Sequence, residues 1–417
     1  YKMSYDGSVE TMYIDPVSFV PNQRCSFELD GTKLAYGSNM RLLNVGCVSD
    51  SPQAYSKGLG AMAVIRNIRL MDGQTELSGI RNLAPYLFFK NSNRSNATNK
   101  EEDSYIKRNS MGYEINSVDN KVTHIYSSGK ADVGDDTTLG YLDLREVFPI
   151  LNALTILPTA IFPNLRIEIE FDAKQANQIL ADVTATITIQ RPVLAVDVNQ
   201  NPAIVQQAIE RVSQAPIMWQ EILHDNYVLN AVDTSGFTAT QVATQTATNN
   251  SLGFVGKFVE RLLITKQLTD KATALDGNAV RGFGAVASSQ AILNEKVQIK
   301  LNGNPILTGF QGMSKPNEIL ATLSDEWGSV NAYPGSNLYK PSLSTNNLGD
   351  VELRSQQAFI GVRLGARVAA LETSISRTNN RDATALNPTN QSININLYAE
   401  CSKMLNVTGN GYRLVYA

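Results

Sequence analysis

Histidines, cysteines and paired carboxylates are the side chains most able to do chemistry, and this chain uses them sparingly. It has two histidines, His124 and His224. A Ser-His-Asp triad would have to draw on one of them, yet no GxSxG turn presents a nucleophile. Asp225 follows His224 directly, which carries no weight because triads are assembled in space and not in sequence. Both histidines are therefore expected as surface or hydrogen-bonded structural groups. Three cysteines, Cys25, Cys47 and Cys401, lie far apart without a CxxC. That spacing argues against a disulfide framework or a zinc site and for buried free thiols. Asp132, Asp135 and Asp136 in KADVGDDTTLG could offer oxygens to Ca²⁺, but the spacing and closing Glu of an EF-hand are missing. Glu168 and Glu170 sit two apart, as a glycosidase pair could, and equally as the solvated face of a strand. Gly282-Phe283-Gly284 and Gly409-Asn410-Gly411 lack the third glycine of a dinucleotide fingerprint, and no GxxxxGK[ST] loop occurs. Turns explain them. The expectation is no catalytic, cofactor-binding or metal-binding residue, and no enzyme.

Charge adds no partner. The chain has 417 residues with 36 basic and 39 acidic side chains, a net charge of −3. Arg363, Arg367, Arg377 and Arg381 form no dense run, so no specific nucleic-acid contact is expected. Charged residues are 18%, below the roughly 25% usual in soluble proteins. Asn, Gln, Ser and Thr carry the polarity, with 38 Asn. Five N-x-S/T triplets at Asn93, Asn96, Asn249, Asn390 and Asn406 matter only where a glycosylation apparatus is met. The opening YKMSYDGSVETMYIDP is polar and has no signal-peptide core. Val147 to Leu165 is uncharged, but Pro149, Pro158 and Pro163 would break a spanning helix. Buried strand segments joined by a tight turn are expected there.

The elements that must position these residues are mostly strands. Ile167, Ile169 and Phe171 alternate with Glu168 and Glu170, a period of two. Val183 to Ile189 alternates likewise. Val297, Ile299 and Leu301 do the same and run into the Asn302-Gly303 turn. Ile393, Ile395 and Leu397 alternate with Asn394 and Asn396. Further strands are expected over Met62 to Leu70, Phe254 to Lys266, Phe359 to Val368 and Tyr412 to Tyr416. Two helices stand out. Asn201 can cap Pro202 to Gln214, which carries one apolar stripe and stops at Pro216. Pro316 to Trp327 is the other. Asn91 to Ser104, Thr238 to Ser251, Val330 to Asp350 and Ser376 to Ser392 are polar and are expected as long loops. The length suits two domains, here residues 1–200, a linker helix at 201–216, and residues 217–417. The fold class is all-β: two tandem β-sandwiches with few short helices and long loops.

Three segments carry a family resemblance. GYLDLREVFPILNALTILPTAIFPNLRIEIEFD, residues 140–172, resembles the first jelly roll of double jelly-roll major capsid proteins of the adenovirus, tectivirus, polinton-like virus and virophage lineage. Lys296 to Asn331, with LNGNPIL and then KPNEILATLSDEWGSVN, is similar to the second jelly roll of the polinton-like and virophage group. SININLYAECSKMLNVTGNGYRLVYA suits its closing edge. The resemblance implies two eight-stranded jelly rolls and a major capsid protein that self-assembles as a homotrimer. Its pseudo-hexameric capsomers would tile the faces of an icosahedral virion. Penton, minor and cement capsid proteins would be its partners, with or without an internal membrane. The chain would reside in the virion shell after synthesis in the host cytoplasm or nucleus. Two other readings stand beside it: a different virion component such as a penton-like appendage, built on one jelly roll, and a carbohydrate-binding β-sandwich protein. With Trp219 and Trp327 the only tryptophans, the second is poorly stocked with aromatic platforms.

Overall fold

The computed structural model describes residues 9–49, 62, 64–92, 113–115, 122–124, 140–171, 187–232, 236–238, 241–268, 280–281, 294–306, 360–380, 392–408 and 411–417. Among the expectations above, Pro316 to Trp327, Val330 to Asp350, the Asp132–Asp136 cluster and Gly282 to Gly284 lie outside these residues.

The first half is built from β1 (Val9–Ile14), β2 (Ser18–Val20), β3 (Arg24–Glu28), β4 (Ala35–Val45), β5 (Cys47–Ser49), β6 (Ile65–Asp72) and β7 (Thr75–Ile80). Helix α1 (Leu83–Ser92), β8 (Tyr113–Ile115), β9 (Val122–His124) and β10 (Gly140–Asp143) follow. Helix α2 (Ile150–Ala153), β11 (Ile156–Pro158), β12 (Leu165–Phe171), β13 (Ile187–Ile189) and β14 (Val193–Asn199) complete it. One sheet runs β1-β14-β4-β10 and the other β2-β3-β12-β6-β7. The pairings nest: β1 with β14, β3 with β12, β4 with β10, and β6 with β7, all antiparallel. This half is thus one long hairpin rolled up so that successive ladders fall in alternate sheets, which is a jelly roll. Its tip is the turn at Gly73, whose φ of +55° suits a residue without Cβ.

The second half repeats the plan. After helix α3 (Pro202–Gln214) come β15 (Ile217–Leu229), β16 (Val242–Asn250), β17 (Phe258–Leu268), β18 (Val280–Arg281) and β19 (Asn294–Leu301). Then come β20 (Asn304–Pro305), β21 (Ile360–Arg367), β22 (Leu371–Asn380), β23 (Ile393–Thr408) and β24 (Gly411–Tyr416). β15 pairs β23, β16 pairs β22, β17 pairs β21, and β19 pairs β20. The tip is Asn302-Gly303, both at positive φ (+52° and +85°), as a two-residue turn matched to strand twist requires.

Sequence patterns explain much of this. In β12 the isoleucines and Phe171 are buried while Arg166 and Glu168 are half-buried and Glu170 exposed. Helix α3 spans Pro202 to Gln214, with Asn201 Oδ1 accepting from the Ala203 N–H at 3.0 Å. Val205 packs with Ala35 and Ile156, while Val212 joins the first sandwich's core.

Three expectations are corrected. Val242 to Asn250, within the polar run placed in a loop, is strand β16 and pairs β22 over nine residues. The low-complexity run hides a period of two: Ala243, Gln245, Ala247 and Asn249 are half-buried, while Thr244, Thr246 and Thr248 are exposed. β-Branched threonine suits such a surface. Ser376 to Asn380, also placed in a loop, ends strand β22 for the same reason. Val147 to Leu165 buries its large apolar side chains, while Asn152, Thr155, Ala160, Pro163 and Asn164 are exposed, and its first part is helical where strand was expected: Pro149, at φ −58° and ψ −27°, leads into α2. A proline at a helix start loses no hydrogen bond. Helix α1 went unrecognised because Pro85 and an apolar run without a polar face obscure the helical period. Among the described residues no helix is long and apolar enough to cross a membrane.

Two cores result. The second sandwich encloses Val259, Leu262, Ile264, Ile299, Ile375, Leu397 and their neighbours. The first sandwich's core does not stop at its own strands; it extends to Trp219, Ile222, Leu263, Tyr398 and Leu405 of the second.

Candidate functional site

The residues singled out for chemistry are scattered. Among the described residues no group of three or more His, Cys, Asp or Glu side chains could hold a metal. Cys25, Cys47 and Cys401 are buried free thiols, and burial pushes Cys25 and Cys401 up to about 12. Such thiols stay protonated and are poor nucleophiles. Glu168 is bound to Arg69 at 2.8 Å and Arg166 at 2.9 Å, and Glu170 to Arg66 at 3.4 Å. With Arg24 and Asn67 they line a hollow of about 750 Å³ on the outer face of the first sandwich. Carboxylates cross-braced by guanidiniums in this way form a charged ladder across the strands. His124 lies in β9 opposite Tyr113. Arg363 pairs with Glu260 at 2.8 Å, and Arg377 is fully buried. Of the glycosylation triplets, Asn249 is tied to Asp225 and Ser251, and Asn406 is exposed on β23. Asn93, Asn96 and Asn390 lie outside the described residues. Gly411, at φ +145°, opens β24, in keeping with a turn.

Polar chemistry concentrates instead at the seam between the two sandwiches. Two clusters form it. In the first, Glu221 of β15 is 2% exposed. Its Oε1 accepts from the Ser78 hydroxyl and the Gly79 N–H, both at 3.0 Å, across the seam. Its Oε2 accepts from Trp219 Nε1–H at 2.7 Å. Lys403 of β23, 5% exposed, donates to the carbonyls of Leu77 at 2.8 Å and Glu76 at 3.3 Å. Its ammonium also lies 5.9 Å from the Trp219 ring centre and 5.4 Å from that of Tyr416. Burial raises the Glu221 carboxyl and lowers the Lys403 ammonium; the opposite charge of each partner counters both shifts. Nearby, Tyr412 donates to Asp72 Oδ2 at 2.9 Å and packs on Phe162.

The second cluster lies under α1. Asn82 Nδ2 donates to Asn396 Oδ1 at 2.8 Å, and Tyr398 donates to the Asn82 carbonyl at 2.6 Å. His224 Nε2 is 3.1 Å from the same Asn396 oxygen, and its ring lies 5.0 Å from that of Tyr398. Tyr86 of α1 packs on Tyr398 at 5.5 Å. Burial holds His224 below the usual imidazole range.

These contacts show why β23 departs from simple alternation. Its residues from Leu397 to Lys403 are buried with the single exception of half-buried Glu400, because the first sandwich covers the face turned away from the second core: Tyr86 of α1 packs on Tyr398, and the Leu77 and Glu76 carbonyls of β7 accept from Lys403. A strand covered on both faces loses the period of two. Asn396 is therefore buried, although the Ile-Asn alternation gives no hint of it. Glu221, Lys403, Asn82 and Asn396 were not legible as a site; the one available signal was a long apolar strand, LYAECSKML, interrupted by charges at positions the pattern makes internal.

Two rolled hairpins in tandem, joined by α3 and sealed where the first core takes in side chains of the second sandwich, define a double jelly-roll protein. Solved capsid structures share that fold. PBCV-1 VP54, as fitted into a reconstruction of the virophage Sputnik, matches with a TM-score of 0.51 at 11% identity, covering 100% of this chain and 99% of that one. The PBCV-1 virus capsid matches at 0.52 and 11%, with the same coverage. The Sputnik virophage structure matches at 0.52 and 9%, covering 98% of this chain and 88% of that one. No protein-family model and no curated protein matches the chain.

Proposed function

We propose that the chain is a structural major capsid protein whose trimer forms a pseudo-hexameric capsomer on the faces of an icosahedral virion. The observation that carries this is the whole-length correspondence of two complete jelly rolls with the PBCV-1 and Sputnik capsid folds. The seam supports it. A shell block must hold its two sandwiches side by side in fixed register, and a shared core with buried cross-links does that. We divide the chain into a first jelly roll at 1–200, the connecting helix at 201–216 and a second jelly roll at 217–417. Three such chains present six sandwiches, which suits sixfold packing. The chain acts without catalysis, in the virion shell, with further copies of itself and with penton and minor capsid proteins as partners. The penton-like alternative expected a single sandwich, and the chain has two.

Light scattering on the purified chain, with negative-stain imaging of the same fraction, tests this. The expected result is a mass three times 45.5 kDa and a hexagonal outline. A stable monomer at high concentration would overturn the capsomer reading.

A further inference from the structure

We propose that the free edge of β16 is a two-fold docking surface, on which a second copy of this chain adds its own β16, antiparallel and centred on Gln245. The β16-β22-β19-β20 sheet ends at β16, which pairs with β22 from Val242 to Asn250. Among the described residues no strand pairs with its other side. That side presents backbone N–H and C=O groups along about 30 Å of strand.

Proteins blunt such edges with shortness, charge, proline or a bulge. Among the described residues, each of the other marginal strands is at most three residues long or carries a charge. β2 and β20 span three and two residues, β1 carries Glu10, β7 Glu76 and β21 Arg363. β16 reads VATQTATNN, nine residues with no charge and no proline, and its ladder with β22 runs without a register shift. Its inward side is also incompletely covered. Ala243, Gln245, Ala247 and Asn249 are only half-buried, and a slot of about 390 Å³ opens between β16 and β15. Asn249 Nδ2 donates to Asp225 Oδ2 at 3.0 Å at one end, and Gln245 Nε2 to the Asn230 carbonyl at 2.9 Å at the other. A strand laid along β16 lies over the mouth of that slot.

The side chains of β16 select a second β16 as the occupant. Ala243-Thr244-Gln245-Thr246-Ala247 reads the same in both directions. Antiparallel pairing keeps inward residues opposite inward ones. Centred on Gln245, it sets Ala243 against Ala247 and Thr244 against Thr246 in both halves. Alanine meets alanine on the inward side, and threonine meets threonine, a favourable cross-strand pair, on the exposed side. With no charge on the strand, a second copy brings no like-charge repulsion. Such a contact is isologous, the same patch on both copies, closed by a two-fold axis. It differs from the three-fold contact of a capsomer and does not rest on the capsid reading.

Cysteines placed on this edge of the full chain test the register. Opposed Cβ atoms stand about 4.5–5.5 Å apart, and hydrogen-bonded and non-hydrogen-bonded pairs alternate along the ladder. The closer kind suits a disulfide, so one of two pairings should form: Gln245→Cys with itself, or Thr244→Cys mixed with Thr246→Cys. Under mild oxidation one of them should give a covalent dimer, whereas Thr244→Cys alone and Thr246→Cys alone should not. Cys25, Cys47 and Cys401 are buried, so the parent serves as the blank. In light scattering, association of the parent above its smallest stable assembly should rise with concentration. Thr246→Lys brings two lysines near each other across the axis and should raise the concentration required by about tenfold or more. No covalent dimer in either pairing, or equal cross-linking by Thr246→Cys alone, overturns the proposal. So does a parent whose mass does not grow, as when another segment of the same chain covers the edge. Should Gln245→Cys fail to fold, Thr246→Lys decides, because Thr246 is exposed, and unchanged association would overturn the contact. A trimer that gives no such dimer removes this contact and leaves the capsomer; a cross-linked dimer without a trimer does the reverse.

Discussion

Glu221 accepts three hydrogen bonds, two of them from Ser78 and Gly79 across the seam. As a carboxylate it satisfies every donor around it, and Lys403 supplies the compensating charge. Burial raises the Glu221 carboxyl, and Lys403 together with the three donors counters it, so removing either partner should be worse than removing both. Glu221→Leu strands three donors and leaves Lys403 buried without its counter-charge. It should lower stability by about 3 kcal/mol, read as a shift in the urea midpoint. Adding Lys403→Met should recover part of that, with a coupling of about 1–3 kcal/mol in a double-mutant cycle. Strictly additive effects would show that the two side chains act independently. None of this was legible in the sequence. Glu221 and Lys403 lie far apart in the chain, and an isolated Glu or Lys in a strand pattern reads as a solvated position. Only the pairing of Trp219 with Lys403 and of Glu221 with Cys401 along the β15–β23 ladder brings them together.

Elements with a local signature were visible beforehand. The α3 boundaries follow from Asn201, Pro202 and Pro216, all of which act within a few residues. The Asn302-Gly303 turn is equally local, and its role is to fix the tip of the second rolled hairpin. Gly303→Val should therefore cost on the order of 1–2 kcal/mol, because a β-branched residue is strained at φ +85°. A thermal melt measures it. Gly303→Asn should be milder, since asparagine tolerates the left-handed region. Elements defined by distant partners were less visible. β16 is a strand because β22 pairs with it, and its Thr/Ala/Gln composition alone resembles a linker. Helix α1 is buried between the sandwiches, so it has no polar face to reveal its period. The pattern of the strands in each half was enough to expect sandwiches. Which strand pairs with which was not, since every antiparallel candidate satisfies the same alternation.

For the whole molecule, the shared core means that the sandwiches are not independent. Trp219, Ile222, Leu263, Tyr398 and Leu405 complete the packing of the first half. Differential scanning calorimetry should show one dominant transition, and residues 1–200 expressed alone should bind hydrophobic dyes and aggregate. Two well-separated transitions would mean that the seam couples the halves weakly. The rolled-hairpin topology also bears on how the chain reaches this state. The outermost ladders of the rolled hairpins join strands far apart in the chain: Val9 of β1 meets Asn199 of β14, and Ile217 of β15 meets Leu405 of β23. Bringing such distant segments together has an entropic cost that rises with the logarithm of the span, and folds dominated by non-local pairing are slow to form. On a ribosome, β1 waits unpaired until β14 emerges, and β15 until β23. During that interval β4 and β17, each the middle of a sheet, present bare edges to other nascent chains. Yield of soluble protein should therefore be governed by synthesis rate and temperature more than by final stability.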